Sequence, residues 1–148
     1  LRDRIKVISS GKLTTPSGVA WALCAGADFV TSARGFMFAL GCIQALQCNT
    51  NECPSGVATH KKHLQRGLVA NDKAERVYHY ATTMHKEVGT VAHSCGVDDP
   101  RMLKRHHCRI MGANSRTIGL HEMYPPGGSF APAHDRPDTI TDGNVAAE

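Results

Sequence analysis

The chain has 148 residues, a formal net charge of +4, 41% hydrophobic residues and 5% aromatic residues, a length and composition that suit one domain with a buried core. The positive charge is modest and scattered, and basic and aromatic side chains do not interleave as they do in base-stacking surfaces, so nucleic-acid binding is not expected even at the tightest basic run, "RMLKRHHCR". No apolar run approaches the roughly 18–20 residues that span a bilayer, no secretory leader pattern is present, and six cysteines without an export signal point to a reducing, cytoplasmic setting where thiols serve as metal ligands or buried groups.

The first residues, "LRDRIKVIS", lack an initiator Met and run almost at once into an apolar strand over residues 5–9, which reads as a chain cut from something larger. A short continuous apolar strand suits a parallel sheet covered on both faces. In "TTPSGVAWALCAGA", Thr14 or Thr15 can cap a helix that Pro16 begins, Val19, Ala20, Leu23 and Cys24 recur at helical spacing, and Gly26 ends it. "DFVTSA" reads as a second strand and "RGFMFALGC" as a second helix. Strand, helix, strand, helix is the signature of the α/β class. Both strands end in small polar and glycine residues, "SSGK" and "TSARG". Backbone amides at such ends, beside helix N-termini, form an anion cradle; the alternative is a pair of ordinary tight turns.

Further on, Val77, Ala81, Met84, Val88, Val91 and Cys95 recur three or four residues apart, with Asp72 and Glu75 as a capping-box-like start and Gly96 as a stop. "DDPRMLKRHH" repeats the helix-start logic with Asp99 and Pro100, so residues 61–124 read as a helical extension folded into a hairpin. From residue 125 the chain is rich in Pro, Gly, Asp and Ala and is expected to be a disordered tail to residue 148.

The chemistry lies between these parts. "LGCIQALQCNTNECPSG" places Cys42, Cys48 and Cys53 at Cys-x5-Cys-x4-Cys spacing, followed by Pro54. Neither interval matches the short knuckles of structural zinc, although His60 and His63 lie close enough to complete a tetrahedral set. A disulfide would leave one thiol over, and three buried structural thiols are the plain alternative. Iron–sulfur ligands sit on loops of varied spacing, often with proline after the last, and the turn residues "NTNE" and "PSG" supply amides for cluster sulfurs. Cys24 and Cys95 read as core thiols on apolar helix faces, and Cys108 has no partner pattern. His79, His85 and His93 do not align as a ligand pair, His106 and His107 read as solvated or capping, and Trp21 reads as core packing. No Ser-His-Asp or Cys-His arrangement supports a hydrolase.

"LRDRIKVISSGKL", "ALCAGADFV" and "FALGCIQALQCNTNECPSGVAT" resemble the FMN-binding barrel of the glutamate synthase family, and "AHSCGVDDPRMLKRHHCRI" resembles its continuation in stand-alone members. The resemblance covers residues 1–60 most clearly. It implies the C-terminal portion of a (β/α)8 barrel, here its last two βα units, with an iron–sulfur loop at 42–54. It further implies a 3Fe-4S cluster on Cys42, Cys48 and Cys53, and an FMN phosphate held around Ser10, Gly11 and Lys12 and around Ser32, Ala33, Arg34 and Gly35. The implied reaction passes electrons from the cluster to FMN and reduces 2-iminoglutarate, from 2-oxoglutarate and ammonia or glutamine nitrogen, to L-glutamate. The donor would be a ferredoxin or a pyridine-nucleotide reductase subunit, with a glutaminase subunit or domain as a further partner. Catalytic residues are expected upstream of this chain, which alone is expected to be inactive. Family members usually carry Asp-Gly-Gly where this chain has Ser10-Gly11-Lys12, so Lys12 and Arg34 bring direct charge to the phosphate, or mark a relative with another substrate. A non-catalytic zinc- or thiol-stabilised module, or an inactive truncated gene product, would carry the same residues.

Overall fold

Thr15 and Pro16 set the first helix as the sequence requires. A computed structural model of the protein describes residues 4–112 and 116–125. Strand β1 spans Ile8–Ser10, helix α1 Pro16–Ala25, strand β2 Phe29–Thr31 and helix α2 Ala33–Leu40. The Thr15 side chain accepts a hydrogen bond from the Gly18 amide, and Gly26 closes α1 at φ +116°, a left-handed conformation that glycine adopts without cost. β1 and β2 pair in parallel, Ser10 opposite Thr31. The ladder begins three residues later than the apolar run suggests. Before it, Val7 donates to the Asp28 carboxylate at 2.8 Å and accepts from the Asp28 and Phe29 amides, so the entry to the pair is held by a side chain as well as by backbone.

Parallel, in-register pairing fixes where the two following loops lie. Both leave from the same end of the sheet, with their first residues one strand spacing apart, about 4.8 Å. The sheet itself is small, and Ile8 and Phe29 are 66% and 59% exposed. A two-stranded sheet is not self-supporting, and its helices hold it in place.

A short helix α3 (Lys62–Gln65) leads into α4 (Ala70–Ser94), a rod of 25 residues and about 37 Å. It starts two residues before the Asp72–Glu75 pair, with Val69 at its cap and no side-chain capping bond. Asp72 sits instead inside the first turn, where a carboxylate favours the helix dipole, and pairs with Lys73 at 3.2 Å. Gly96, at φ +79°, ends the helix as expected, with the Val97 amide returning to the Ala92 carbonyl. The apolar stripe packs across α1 and α2. Ala20 and Cys24 of α1, Ala92 of α4 and Leu103 form the core, flanked by Leu23, Val91, Cys95, Val97 and Cys108.

Two sequence expectations are corrected. Trp21 is not core but 50% exposed: it lies about 100° around α1 from Ala20, off the face that meets α4. The second arm of the expected helical hairpin is not an α-helix. Asp99 does cap, accepting from the Arg101 amide at 2.8 Å, but it starts a single 3₁₀ turn, Pro100–Met102. The backbone extends at Leu103 so that this side chain reaches the core, and a second 3₁₀ turn, Arg105–His107, follows. An antiparallel pair, β3 (Arg109–Met111) and β4 (Thr117–Gly119), and helix α5 (Leu120–Met123) complete the described chain. From residue 126 onward the expected disordered tail lies outside the described residues. Among the described residues no helix is long and apolar enough to cross a membrane.

Candidate functional site

The two loops at the sheet's end are built differently. After β1, Gly11 and Lys12 take consecutive left-handed conformations, φ +111° and +54°, and the Thr14 amide closes the turn on the Lys12 carbonyl at 2.9 Å. Lys12 is exposed. After β2, Ser32 occupies the cap position of α2 but makes no capping bond, so the first-turn amides of Ala33, Arg34 and Gly35 carry no side-chain cap. An uncapped helix start beside a glycine-lysine turn fits an anion such as a phosphate.

The Ser32 hydroxyl is engaged with Tyr80 of α4, at 2.7 Å. The same phenol donates to the Thr14 carbonyl at 3.2 Å, and its ring meets Phe36 edge-on at 5.0 Å between centroids. A β-carbon on Gly35 would stand 1.9 Å from the Tyr80 oxygen, so only glycine fits there. Tyr80 thus ties the loop after β1 to the loop after β2. Helical periodicity singles out Val77, Ala81 and Met84 around it and passes over Tyr80; its position, three residues after Val77 and four before Met84, is the signal that could have found it.

The cysteine loop follows α2. Gly41 closes that helix at φ +102°, and Cys42 donates its amide to Met37 at 3.0 Å. Left-handed backbone then recurs at Gln44, Leu46, Asn51 and Gly56, a local conformation that costs free energy at non-glycine positions and persists only where surroundings enforce it. At Asn51 the enforcement is visible. Asn51 Oδ1 accepts from the His60 amide at 2.7 Å and the Thr59 hydroxyl at 3.1 Å; that hydroxyl also reaches the Asn51 carbonyl at 2.7 Å, and Gln65 Nε2 donates to the Thr59 carbonyl at 2.7 Å. Lys61 forms an ion pair with Glu52.

Within this frame the three thiols differ. Cys48 is exposed, Cys42 intermediate and Cys53 8% exposed. The segment from Pro54 to Ala58 curls over Cys53. The Ser55 hydroxyl lies 3.4 Å from its sulfur, and this hydroxyl first, then the Ala58, Ser55 and Val57 amides, lower the thiol from 9.0 to about 7 despite its burial. Hydrogen-bond donors placed this way favour the thiolate over the thiol. Among the described residues no three His, Cys, Asp or Glu side chains gather around a single metal-ion position. His60 and His63 are exposed, as are His79, His85 and His93. His107 accepts the Lys104 amide at 2.9 Å, capping its own turn, and burial with the adjacent His106 lowers its pKa.

The described chain is thus a parallel α/β unit with two loops at one end of its sheet, followed by a braced cysteine loop. Residues 1–98 match the model of the conserved region in glutamate synthase, and the chain belongs to the glutamate synthase family. It is 44% identical over 123 residues to the glutamate synthase large subunit-like protein YerD of Bacillus subtilis, covering 83% of this chain and 23% of that protein. It is 30% identical over 122 residues to the archaeal glutamate synthase (NADPH) of Methanocaldococcus jannaschii, again 23% of the relative's length. Over 65 residues, 44% of this chain and 4% of the relative, it is 42% identical to a ferredoxin-dependent glutamate synthase of Pyropia yezoensis. The chain therefore spans under a quarter of the curated relatives it matches. No solved structure matches it.

Proposed function

We propose that the chain is the cofactor-holding part of an FMN and iron–sulfur oxidoreductase of glutamate synthase type. Cys42, Cys48 and Cys53 hold a 3Fe-4S cluster, and the loops at Ser10–Lys12 and Ser32–Gly35 hold the FMN phosphate. The observation that carries this reading is the match of residues 1–98 to the conserved region in glutamate synthase; the Ser55 hydroxyl, 3.4 Å from the Cys53 sulfur, adds a donor that favours the thiolate iron requires. The uncapped start of α2 beside Gly11 and Lys12 supports the phosphate assignment. Exposed Ile8 and Phe29 support placing β1 and β2 as the seventh and eighth strands of a (β/α)8 barrel, because parallel strands are ordinarily covered on both faces.

When bound, the cluster and the flavin supply electron transfer and the hydride that converts 2-iminoglutarate, from 2-oxoglutarate and ammonia, into L-glutamate. The chain's own residues do the holding. Cys53 presents a thiol whose ionisation the surrounding donors favour, the Asn51–Thr59–Gln65 bonds keep its loop in place, Lys12 and Arg34 meet the phosphate charge, and Tyr80 sets the separation of the two loops. The relatives' names include ferredoxin, NADPH and NADH forms, and the donor here belongs to one of those classes.

The test is anaerobic expression of the gene product containing these residues, with low-temperature EPR of the oxidised protein and iron, zinc and sulfide analysis. The near-isotropic signal of an oxidised three-iron cluster, with about three irons per chain and bound FMN, is expected. Zinc without sulfide, or no metal, overturns the reading.

A further inference from the structure

The basic run from Arg101 to His106, which neither cofactor site uses, lines a cavity. Leu103 is the reason. Its side chain is buried in the core beside Ala20 and Cys24, and this draws the two flanking 3₁₀ turns against α1. Arg101, Lys104, Arg105 and His106 then border a cavity of about 760 Å³, and Lys6, from before β1, and His121 of α5 complete its cationic lining. Leu23, Ala27 and Phe29 supply apolar wall. The cavity adjoins the Gly26–Asp28 turn that leads into β2, whereas the phosphate loops leave the sheet at its other end, the length of β2 or about 10 Å away.

Four lysines and arginines and two histidines line this space against one carboxylate, Asp28. That carboxylate is already engaged: it accepts from the Val7 amide at 2.8 Å and pairs with Lys6 at 3.7 Å. Arg101 pairs with Asp99 at 3.4 Å. Arg105 gives one guanidinium nitrogen to the Tyr124 carbonyl at 2.7 Å, and its fork carries further donors. Among the described residues Lys104 and His106 have no ion-pair partner. A cleft lined by one sign of charge and backed by hydrocarbon focuses its field and concentrates anions. His107 registers that field: its pKa is lowered by burial first, then by His106 and Lys104.

We propose that this cavity binds a diphosphate group, either free or carried by a nucleotide. A single phosphate meets only part of a lining whose cations come from three segments of the chain. A diphosphate offers enough acceptors to take charge-assisted hydrogen bonds from Lys104, Arg105 and His106 together. The volume, about 760 Å³, falls in the range of small-molecule sites. Binding there requires neither the flavin nor the cluster.

The experiment is equilibrium dialysis of the gene product containing these residues against ADP, inorganic pyrophosphate and inorganic phosphate, in magnesium-free buffer, with and without excess FMN. Lys104→Met and His106→Gln change two exposed side chains of the lining, and Lys86→Met removes an exposed cation of α4 that lies outside it. ADP and pyrophosphate are expected to bind more tightly than phosphate, and excess FMN to displace neither. Lys104→Met should weaken both by about tenfold, His106→Gln should weaken both less, and Lys86→Met should leave them unchanged. ADP binding tighter than pyrophosphate assigns the diphosphate to a nucleotide; equal affinity assigns it to the free ion. Displacement by FMN overturns the proposal by placing the ligand on the loops after β1 and β2. Equal weakening by Lys86→Met overturns it by reducing the effect to net charge, and so does the absence of binding.

Discussion

The six cysteines form two trios that share a chemistry and little else. Cys42, Cys48 and Cys53 occupy one loop, close in sequence, with their exposure graded from open to covered. Cys24, Cys95 and Cys108 come from α1, the end of α4 and the residue before β3, and meet at one core. Their acidities move in opposite directions. Cys53 falls to about 7 because a hydroxyl and amides point at its sulfur. Cys24 rises to about 11, through burial first and the neighbouring Cys108 and Cys95 second, and Cys108 is raised for the same reasons. Burial acts on both trios; what separates them is whether the covering groups donate hydrogen bonds. A thiol roofed by amides is poised for metal, and one roofed by hydrocarbon is a small apolar core group.

The largest way to break this contrast is to remove one thiol from each trio. Cys48→Ser is expected to abolish the iron and sulfide content of anaerobically prepared protein while leaving the far-ultraviolet circular dichroism unchanged, and Cys108→Ser to keep both. Equal loss in the two variants would erase the distinction. Next in size is Cys24→Ser, which places a hydroxyl among Ala20, Ala92 and Leu103 with no assigned partner. A loss of about 1–3 kcal/mol in urea unfolding is expected, and no loss would show that the site is wetter than its packing implies. Smaller again is Tyr80→Phe, which removes the bonds to Ser32 and Thr14 but keeps the ring against Phe36. About 1 kcal/mol is at stake, read as roughly fivefold weaker FMN binding in a fluorescence titration. Unchanged affinity would mean that the two loops hold their spacing without the phenol.

The loop trio could be singled out in the sequence because its cues are local: spacing, the trailing proline and the turn residues all lie within one segment. The core trio was legible only in halves. Helical periodicity marked Cys24 and Cys95 as core, but their meeting with Cys108 depends on how α4 crosses α1 and on Leu103 pulling the following turn inward, and neither is encoded in nearby residues. The same division runs through the fold. The β1–α1–β2–α2 order and its caps follow from Thr15, Pro16 and Gly26, which act within a few residues. The second arm of the expected hairpin failed because Asp99 and Pro100 start a 3₁₀ turn as readily as an α-helix, and the core contact of Leu103 decides between them. Tyr80 escaped notice because a tyrosine on a helix stripe has no local signature of the loops it joins.

The finest test of the contrast is acidity itself. Cys24, raised in the folded protein, contributes stability that is complete below its unfolded value of 9.0 and is lost as pH climbs through about 11. Cys53, lowered, contributes stability that is complete above 9.0 and is lost as pH falls through about 7. In metal-free protein, iodoacetamide labelling mapped by mass spectrometry should give Cys53 a midpoint near pH 7, while Cys24 stays unlabelled well into the alkaline range. Ser55→Ala then isolates the leading donor at Cys53. Its removal should move the labelling midpoint upward, yet short of the ordinary 9.0, since the Ala58, Ser55 and Val57 amides remain. A midpoint that does not move would show that the hydroxyl, though 3.4 Å away, does not donate to the sulfur. The backbone alone would then lower the Cys53 thiol, a property of how the chain turns after Pro54 and independent of which side chain follows it.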